Sequence, residues 1–397
     1  MADFSATRAL FHLPEGMIYL DGNSLGPLPR AAAARVADVL EREWGGHLIK
    51  GWNACGWMAH STRIGDRIAR LIGAPPGTVV TGDTLSIKVY QALAAALDLN
   101  PARRVSLSDS GNFPSDLYMA QGLAATLGRG HVLKVVPPEA LADAIDDTVA
   151  ALLLTQVDYR TGALHDMAAL TALAHRAGAL AVWDLAHSAG ALPVDLAGSG
   201  ADFAVGCTYK YLNGGPGAPA FIYVAPARLD HARPALSGWL GHAAPFAFDQ
   251  DYRAGAGIER MRIGTPPVIA LAALDAALDV FDGVDMDELR AASIVLSELF
   301  IAEVEARCPS LSLVSPRDAR MRGSQVSFRH PQGYAVMQAL IARGVVGDFR
   351  APDMIRFGFA PLYNTAAEVR AAGEILAQIL AGREWDRPEF HQRSLVT

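Results

Sequence analysis

Short apolar runs alternate with helical patterns through the middle of the chain. Residues 149–157 form a continuous apolar run, residues 166–177 have helical spacing and end at Gly178, and residues 179–185 are apolar again. Two strands that are apolar on both faces, joined by a helix, are typical of a parallel sheet with helices packed over it. The pattern predicts an α/β fold with a mainly parallel central sheet flanked by helices.

The same alternation extends on both sides of this unit. Strands are predicted at residues 78–81, 104–107, 201–206 and 218–224, and a helix is predicted at residues 86–97. Towards the chain ends the pattern is less regular, with helices predicted at 31–44, 267–281, 288–307, 334–343 and 368–381 and short strands at 311–314 and 325–328. We therefore expect a large domain at residues 50–245 and a smaller α+β domain built from residues 1–49 and 246–397.

Composition and charge exclude several classes of protein. The 397 residues carry a net charge of −7, which argues against general nucleic-acid binding, because that function needs clustered basic surface. No apolar run approaches the roughly 18–20 residues that span a bilayer, and the N-terminus lacks the basic-then-apolar pattern of a signal peptide. Cys55, Cys207 and Cys308 are far apart and odd in number, which predicts reduced thiols, a cytoplasmic location and no zinc site.

Two charged residues follow predicted strands where a ligand would bind. Lys210 lies between two tyrosines after the strand at 201–206, and Asp184 lies at the end of the strand at 179–185. Ligands of open parallel sheets bind beyond the carboxyl ends of the strands. A lysine amine can form an imine with an aldehyde while a carboxylate pairs with a ring nitrogen of the same molecule, which points to pyridoxal phosphate. The alternatives are a surface loop lysine and an aspartate that caps a helix.

Other segments are able to complete such a site. Residues 82–86 join a strand to a helix start, where N–H groups can cradle a phosphate, although ordinary capping segments have the same composition. After another strand, Phe113 is placed to stack on the ring and Asp116 to contact its phenolic side. Arg356 lies within an apolar strand-like run, where it is either the bidentate partner of a substrate carboxylate or part of a structural salt bridge.

Together these motifs resemble the kynureninase family, within the aminotransferase class-V group. The most specific matches are the segment 209–213, Tyr-Lys-Tyr-Leu-Asn, and the segment around Trp239. The resemblance covers nearly the whole chain and includes residues 20–27, 112–116, 183–190, 201–217, 238–242, 262–267 and 355–364. It implies a fold-type-I pyridoxal-phosphate enzyme that forms a homodimer with active sites at the subunit interface.

The resemblance also implies roles for individual residues. Lys210 would form the Schiff base, Asp184 would pair with the pyridinium nitrogen, and Tyr209 would act in acid–base catalysis. Cofactor contacts are implied for His187, Leu85, Ser86, Tyr209, Phe113, Asp116 and Thr155, and, from the neighbouring subunit, for Trp239 and Thr265. Substrate contacts are implied for Arg356, which would hold the carboxylate, and for Asn23, Ser24 and His47. Leu85-Ser86 departs from the family, since relatives often have a threonine there.

The implied reaction is the hydrolysis of L-kynurenine to anthranilate and L-alanine, a step of tryptophan degradation, through an aldimine and then a ketimine of the cofactor. Cysteine desulfuration or transamination on the same fold would keep Lys210, Asp184 and Arg356. A desulfurase needs an activated cysteine, and Cys308 lacks the glycine-rich or basic surroundings that activate a thiol. A regulator would need a DNA-binding extension, and a nicotinamide enzyme would need a Gly-x-Gly-x-x-Gly after a strand; the sequence shows neither pattern.

Overall fold

A mixed central sheet dominates the computed structural model, which describes residues 3–393. Residues 1–2 and 394–397, which the sequence assigns to the smaller domain, lie outside the described residues. The strands are, in chain order, β1 (Phe11–His12), β2 (Ile18–Tyr19), β3 (Leu28–Pro29), β4 (Val79–Thr81), β5 (Val105–Asp109), β6 (Val132–Val136), β7 (Val149–Thr155), β8 (Leu180–Asp184), β9 (Phe203–Gly206), β10 (Phe221–Val224), β11 (Ser312–Leu313), β12 (Gln325–Arg329), β13 (Val345–Val346), β14 (Asp348–Arg350) and β15 (Met354–Gly358).

Helices connect and cover these strands. They are α1 (Ser5–Arg8), α2 (Arg30–Asp38), α3 (Gly45–His47), α4 (Gly51–Ala54), α5 (His60–Leu71), α6 (Leu85–Leu99), α7 (Pro114–Leu127), α8 (Leu141–Ala144), α9 (Met167–Ala177), α10 (Leu196–Ser199), α11 (Val268–Ala277), α12 (Met286–Arg307), α13 (Gly333–Ala342) and α14 (Ala366–Ala381). A π-helix follows α2 at Val39–Trp44, and short 3₁₀ turns include Trp57–Ala59, Trp239–Gly241, Gly257–Met261 and Leu278–Phe281.

The central sheet is mainly parallel, as predicted. Within residues 3–393 its strand order is β4-β10-β9-β8-β7-β5-β6. The pairs β5–β6, β5–β7, β7–β8 and β8–β9 are parallel, whereas β10 is antiparallel to both β9 and β4. The strand β10 departs from the pattern because it returns from β9 without a crossover helix, and parallel pairing requires such a crossover.

Apolar side chains of the central strands form a core on each face of the sheet. In β7, Leu152 and Leu154 belong to one buried cluster and Leu153 to the other, because successive side chains of a strand point to opposite faces. In β8, Trp183 joins the first cluster and Val182 the second. Burial on both faces fixes the relative positions of the strand ends and of the loops that leave them.

A second sheet lies in the C-terminal third of the chain. In the described part of the chain its order is β11-β12-β15-β14, and all of its pairs are antiparallel. A third buried cluster contains Phe300 of α12, Phe328 of β12 and Phe357 of β15. The N-terminal segment contacts this region, because β2 pairs in parallel with β13. The register places Asp348 of β14 opposite Arg356 of β15.

Some elements differ from the sequence-based prediction. The helices α5 and α7 and the strand β6 were not predicted. The strand β6 is at an edge of the sheet, is largely exposed and contains Lys134, so it lacks the long apolar run of the inner strands. The helix predicted at residues 31–44 has α geometry only as far as Asp38 and then continues as the π-helix to Trp44.

Candidate active site

The carboxyl ends of β7, β8 and β9 meet at one edge of the central sheet. Thr155 ends β7 and Asp184 ends β8, and the two residues are neighbours in the parallel register. Lys210 lies in the turn that follows β9. The three side chains line one cavity, together with Ser24, Leu85, Phe113, Tyr159, Ala186, His187, Tyr209, Arg350 and Arg356.

Lys210 is held by a short chain of hydrogen bonds. Its Nζ lies 2.8 Å from His187 Nε2, and His187 Nδ1 lies 2.8 Å from Gln325 Oε1. The Gln325 amide nitrogen donates to the carbonyls of Asp158 and Tyr159, which assigns Oε1 as the acceptor of the His187 Nδ1–H. Burial, and then the charge of Lys210, hold the pKa of His187 well below its ordinary value. A neutral imidazole therefore accepts from the lysine through Nε2.

Burial also changes the lysine itself. It lowers the pKa of Lys210 from its ordinary value, although Cys207 and Asp184 oppose this shift. A lysine that releases its proton more readily is a better nucleophile towards a carbonyl carbon. The adjacent phenol behaves in the opposite way, since Cys207 and then burial raise the pKa of Tyr209. Tyr209 therefore keeps its proton at neutral pH and remains a donor.

Two carboxyl groups, Asp184 and Asp116, interact in this site. Asp184 Oδ1 accepts a hydrogen bond from the Ala186 amide at 2.9 Å, and its carboxylate is also hydrogen-bonded to Asp116. Burial raises the pKa of Asp184 to about 6, and burial and then Asp184 raise the pKa of Asp116 well above its ordinary value. Because two adjacent carboxylates do not both ionise readily, Asp116 keeps its proton and Asp184 carries the charge. A buried anion of this kind stabilises a protonated ring nitrogen.

The start of α6 presents free backbone donors. Thr84 is the N-cap in an extended conformation, and its side chain makes no capping hydrogen bond within the described residues. Leu85 lines the cavity, whereas the hydroxyl of Ser86 lies 3.0 Å from that of Ser115. The first N–H groups of α6 are therefore available to a phosphate group, as the sequence predicts for this segment.

An aromatic pair forms one wall of the cavity. Phe113 is the N-cap of α7, with Pro114 as the first helical residue. Its ring packs edge-to-face against Tyr159, with the centroids 5.0 Å apart. Because both rings line the cavity, a flat ring bound near Lys210 would contact aromatic surface.

Arg356 is fully buried and makes several hydrogen bonds. Its Nε donates to Asp348 Oδ1 at 2.8 Å, its Nη2 to Asp348 Oδ2, and its Nη1 to the Tyr159 carbonyl. Nη2 also donates to Ser24 Oγ at 3.0 Å, and the Ser24 hydroxyl donates to Asp348 Oδ2 at 2.6 Å. The salt bridge that the sequence left open as an alternative is thus present, and Arg356 lines the cavity as well.

The other sequence-predicted residues lie outside this cavity. Trp239 is partly exposed and packs against Phe246, with the ring centroids 5.8 Å apart. Thr265 and His47 are exposed, and Asn23 is buried with no hydrogen bond from its side chain to the described residues. Surface positions are compatible with the prediction that Trp239 and Thr265 serve the neighbouring subunit, and this stays a prediction.

Several residues of the site were missed by the sequence analysis. Tyr159 and Arg350 line the cavity, Asp348 holds Arg356, and Gln325 orients His187. Gln325, a polar residue at the start of the predicted strand 325–328, was an available signal, whereas Asp348 lies in the short charged strand β14, Asp-Phe-Arg, and carried none. Tyr159 carried no such signal, because it lies in a loop whose path only the tertiary structure reveals.

Among residues 3–393, no group of three or more His, Cys, Asp and Glu side chains is arranged to hold a metal ion. In this part of the chain no helix combines the length and the apolar composition needed to cross a membrane.

Comparisons with known proteins agree with this architecture. Residues 289–376 match the model of the kynureninase C-terminal domain. Kynureninases from Pseudomonas fluorescens and Burkholderia pseudomallei are 53% and 52% identical to this chain, over 98% of it and 95% of their own length. The apo cysteine desulfurase of Thermococcus onnurineus superposes with a TM-score of 0.80 at 19% identity, covering 96% of this chain and 99% of its own. A C-DES mutant with glycine covalently linked to its PLP cofactor superposes with a TM-score of 0.81 at 19% identity, covering 93% of this chain and 98% of its own.

The fold is that of the fold-type-I pyridoxal-phosphate enzymes, with the lysine site at the carboxyl edge of the central sheet. Structures at 19% identity support the fold alone. Within this class the chain belongs to the kynureninase family, because full-length relatives of that name share about half of its residues.

Proposed function

We propose that this protein hydrolyses L-kynurenine to anthranilate and L-alanine with pyridoxal phosphate bound at Lys210. The observation that carries the proposal is the cavity in which Lys210, Asp184 and Arg356 come together, in a chain that belongs to the kynureninase family. An imine-forming amine, a buried anion and a buried cation are the groups that a pyridine aldehyde and an amino-acid substrate require.

The residues of the cavity fit the cofactor. Lys210 would hold the cofactor through its aldehyde carbon, and Asp184, which lines the same cavity, would pair with its ring nitrogen. Two charges about 4 Å apart attract each other by about 4 kcal/mol at an effective dielectric of 20. Leu85 marks the helix start for the phosphate, and Phe113 provides aromatic surface for the ring. When bound, the cofactor withdraws electrons from the substrate, so that bonds at the α and β carbons can break.

The side chains of the protein move and hold the protons. With the cofactor and substrate bound, the Lys210 Nζ would take the proton from the substrate Cα. The neutral His187 Nε2 keeps this amine oriented, since it lies 2.8 Å away. Tyr209, with its raised pKa, holds a proton on its phenol oxygen and serves as the acid–base group while water adds to the γ-carbonyl. Arg356 supplies positive charge for the substrate carboxylate.

A cysteine desulfurase or an aminotransferase of the same fold is the alternative function. A desulfurase requires a reactive thiol, but Cys308 is buried and burial raises its pKa to about 11. Cys207 is also buried, and burial raises its pKa too. The alternative is less well supported, since the desulfurase structures share only 19% and 20% identity with this chain.

We further propose that the partner of this chain is a second copy of itself. A cavity of about 840 Å³ lies between α2 and the start of α11, and its lining is largely apolar. It includes Trp44 and Ile269, which are 55% and 39% exposed, and an apolar patch of this kind is typical of a protein interface. The lining also includes Pro216, a few residues after Lys210, so this surface is continuous with the active-site loop.

The domain division at residues 50–245 and the cytoplasmic location remain proposals. The pairing of β2 with β13 supports the assignment of the N-terminal segment to the smaller domain. Cys55, Cys207 and Cys308 are free thiols, which supports a reducing compartment.

The test of the proposed function is the product pair from L-kynurenine. We expect wild-type protein to release anthranilate and alanine, and Lys210→Ala to lose turnover by roughly 10³-fold or more, because the nucleophile and proton acceptor is removed. Lys134→Ala, on the exposed strand β6, is the matched control and retains activity. Borohydride reduction of the wild type labels the peptide that contains Lys210. Alanine formed from cysteine alone, or an unlabelled Lys210, contradicts the proposal.

A further inference from the structure

The contacts of Arg356 leave little room for a second carboxylate. A guanidinium has five N–H donors. Arg356 directs them to both oxygens of Asp348, to the Tyr159 carbonyl and to Ser24 Oγ. These four contacts leave one N–H, on Nη1, free of the described residues. Two parallel N–H groups are needed for bidentate recognition of a carboxylate, and Arg356 alone does not offer them while it stays paired with Asp348.

A second arginine, Arg350, lies in the same cavity with unused donors. Its Nη2 lies 2.8 Å from Asp348 Oδ2, so that one carboxylate serves both guanidinium groups. The Arg350 side chain is 34% exposed and lines the cavity. Its Nε is buried and has no hydrogen-bond partner among residues 3–393. A buried N–H without a partner is unfavourable, and the Arg350 guanidinium therefore keeps donor capacity beyond its contacts with Asp348 and the Phe349 carbonyl.

The charges of this cluster also favour an anion. Arg350 and Arg356 carry two positive charges, and Asp348 carries one negative charge that both share. Asp21, the other nearby carboxyl group, is partly protonated at neutral pH, because burial and then Asp348 raise its pKa to about 7. With Asp348 charged and Asp21 partly protonated, the two arginines leave this cluster with a net positive charge. A substrate α-carboxylate is the anion that the proposed reaction brings.

We propose that Arg350 is a substrate-binding residue that completes a two-arginine site for the α-carboxylate, with Asp348 holding both guanidinium groups in position. This inference rests on the proposed function, because the carboxylate is that of L-kynurenine. Arg350 and the remaining Nη1–H of Arg356 then supply the donors. The substrate amine and its Cα are thereby placed over Lys210, which lines the same cavity.

The test compares a substrate with and without the carboxylate. For Arg350→Met we expect the KM of L-kynurenine to rise by about 10- to 100-fold, because a hydrogen bond to a charged group is lost, with kcat changed by less than about 3-fold. The inhibition constant of the decarboxylated analogue, which keeps the aryl ketone and the amine, should change by less than about 3-fold. Arg350→Lys keeps the charge, and its KM for L-kynurenine should lie between those of the wild type and Arg350→Met. Arg320→Met, at an exposed ion pair with Asp318, is the control.

The outcomes separate the two proposals. If wild-type protein releases no anthranilate, the proposed function fails. Suppose instead that the wild type turns over L-kynurenine. If Arg350→Met then weakens the binding of the substrate and of its decarboxylated analogue equally, or weakens the binding of neither, only the role of Arg350 is overturned. Should Arg350→Met fail to fold, as judged by circular dichroism, the same comparison with Arg350→Lys decides, since an equal effect on both compounds again overturns it.

Discussion

At the scale of single residues, the site depends on carboxyl groups whose protonation is set by their surroundings. Asp184 stays charged beside Lys210, while Asp116 keeps its proton. Asp348 is different: burial alone would raise its pKa, but Arg356 and Arg350 hold it below the ordinary value. Similar side chains therefore act as an anion, a hydrogen-bond donor and an anchor for two arginines. The protein assigns these roles through burial and neighbouring charge.

Asp21 provides a test of this view through the pH dependence of stability. Its pKa is 3.8 in ordinary surroundings and about 7 here, where burial and Asp348 outweigh the opposing Arg356. Between these two pH values the folded protein keeps a proton that the unfolded chain releases. The stabilisation from that proton is complete below about pH 4 and is lost as the pH rises through about 7. The free energy of unfolding of Asp21→Asn, taken relative to that of the wild type, should therefore rise by about 1–3 kcal/mol from pH 5 to pH 8.

The measurement is the free energy of unfolding of both proteins in urea at about pH 5, 6, 7 and 8. Any loss of contacts in the variant is the same at every pH, so only the slope of the difference matters. Two parallel pH profiles would show that Asp21 has an ordinary pKa.

At the scale of elements, close packing of α5 against β4 positions the loop that leads to α6. A Cβ added at Gly65 of α5 would lie 2.1 Å from the carbonyl oxygen of Val79 and 3.1 Å from Val80 Cα. Only a glycine allows this approach of helix to strand. The strand β4 then passes directly into residues 82–84, which precede the free N–H groups of α6.

Gly65→Ala tests this packing. We expect it to lower the free energy of unfolding by about 1–3 kcal/mol, because the added methyl group meets backbone that has to shift. Gly122→Ala is the matched control, since Gly122 lies on the exposed face of α7 with nothing within 4 Å of an added Cβ. The free energy of unfolding of the control should rise by about 0.5–1 kcal/mol, because alanine is a better helix former than glycine. Equal effects of the two substitutions in urea unfolding would show that α5 and β4 are not in close contact.

At the scale of the whole molecule, the cavity between α2 and α11 and the surface positions of Trp239 and Thr265 all bear on whether the protein forms a dimer. If a second copy covers this surface, each active site receives residues from both chains. Ile269→Glu should then separate the dimer into monomers and reduce turnover, because a buried unpaired charge is unfavourable in an apolar interface.

Light scattering after size-exclusion chromatography measures this effect. Val295→Glu is the matched control, since Val295 of α12 is 43% exposed, close to the 39% of Ile269, and lies away from the cavity lining. A wild type that is monomeric and fully active would contradict the proposal. So would the same loss of dimer in both variants.

The amino-acid pattern alone was enough to predict the inner strands of the central sheet and the charged residues at its carboxyl edge. Strands β7 and β8 could be predicted because strands buried on both faces are continuously apolar in sequence. Lys210 and Asp184 were predictable because a charged residue at the end of such a strand, or in the turn just after it, needs a partner. Exposed β6, with its Lys134, gave no such signal.

Which side chains become partners depends instead on how the folded elements pack together. The contact of Asp116 with Asp184, the chain from Lys210 through His187 to Gln325, and the shared Asp348 each join residues from separate elements. Hydrogen bonds and charge interactions act over a few ångströms. Their pattern is therefore set by how the elements pack, which local sequence patterns do not encode.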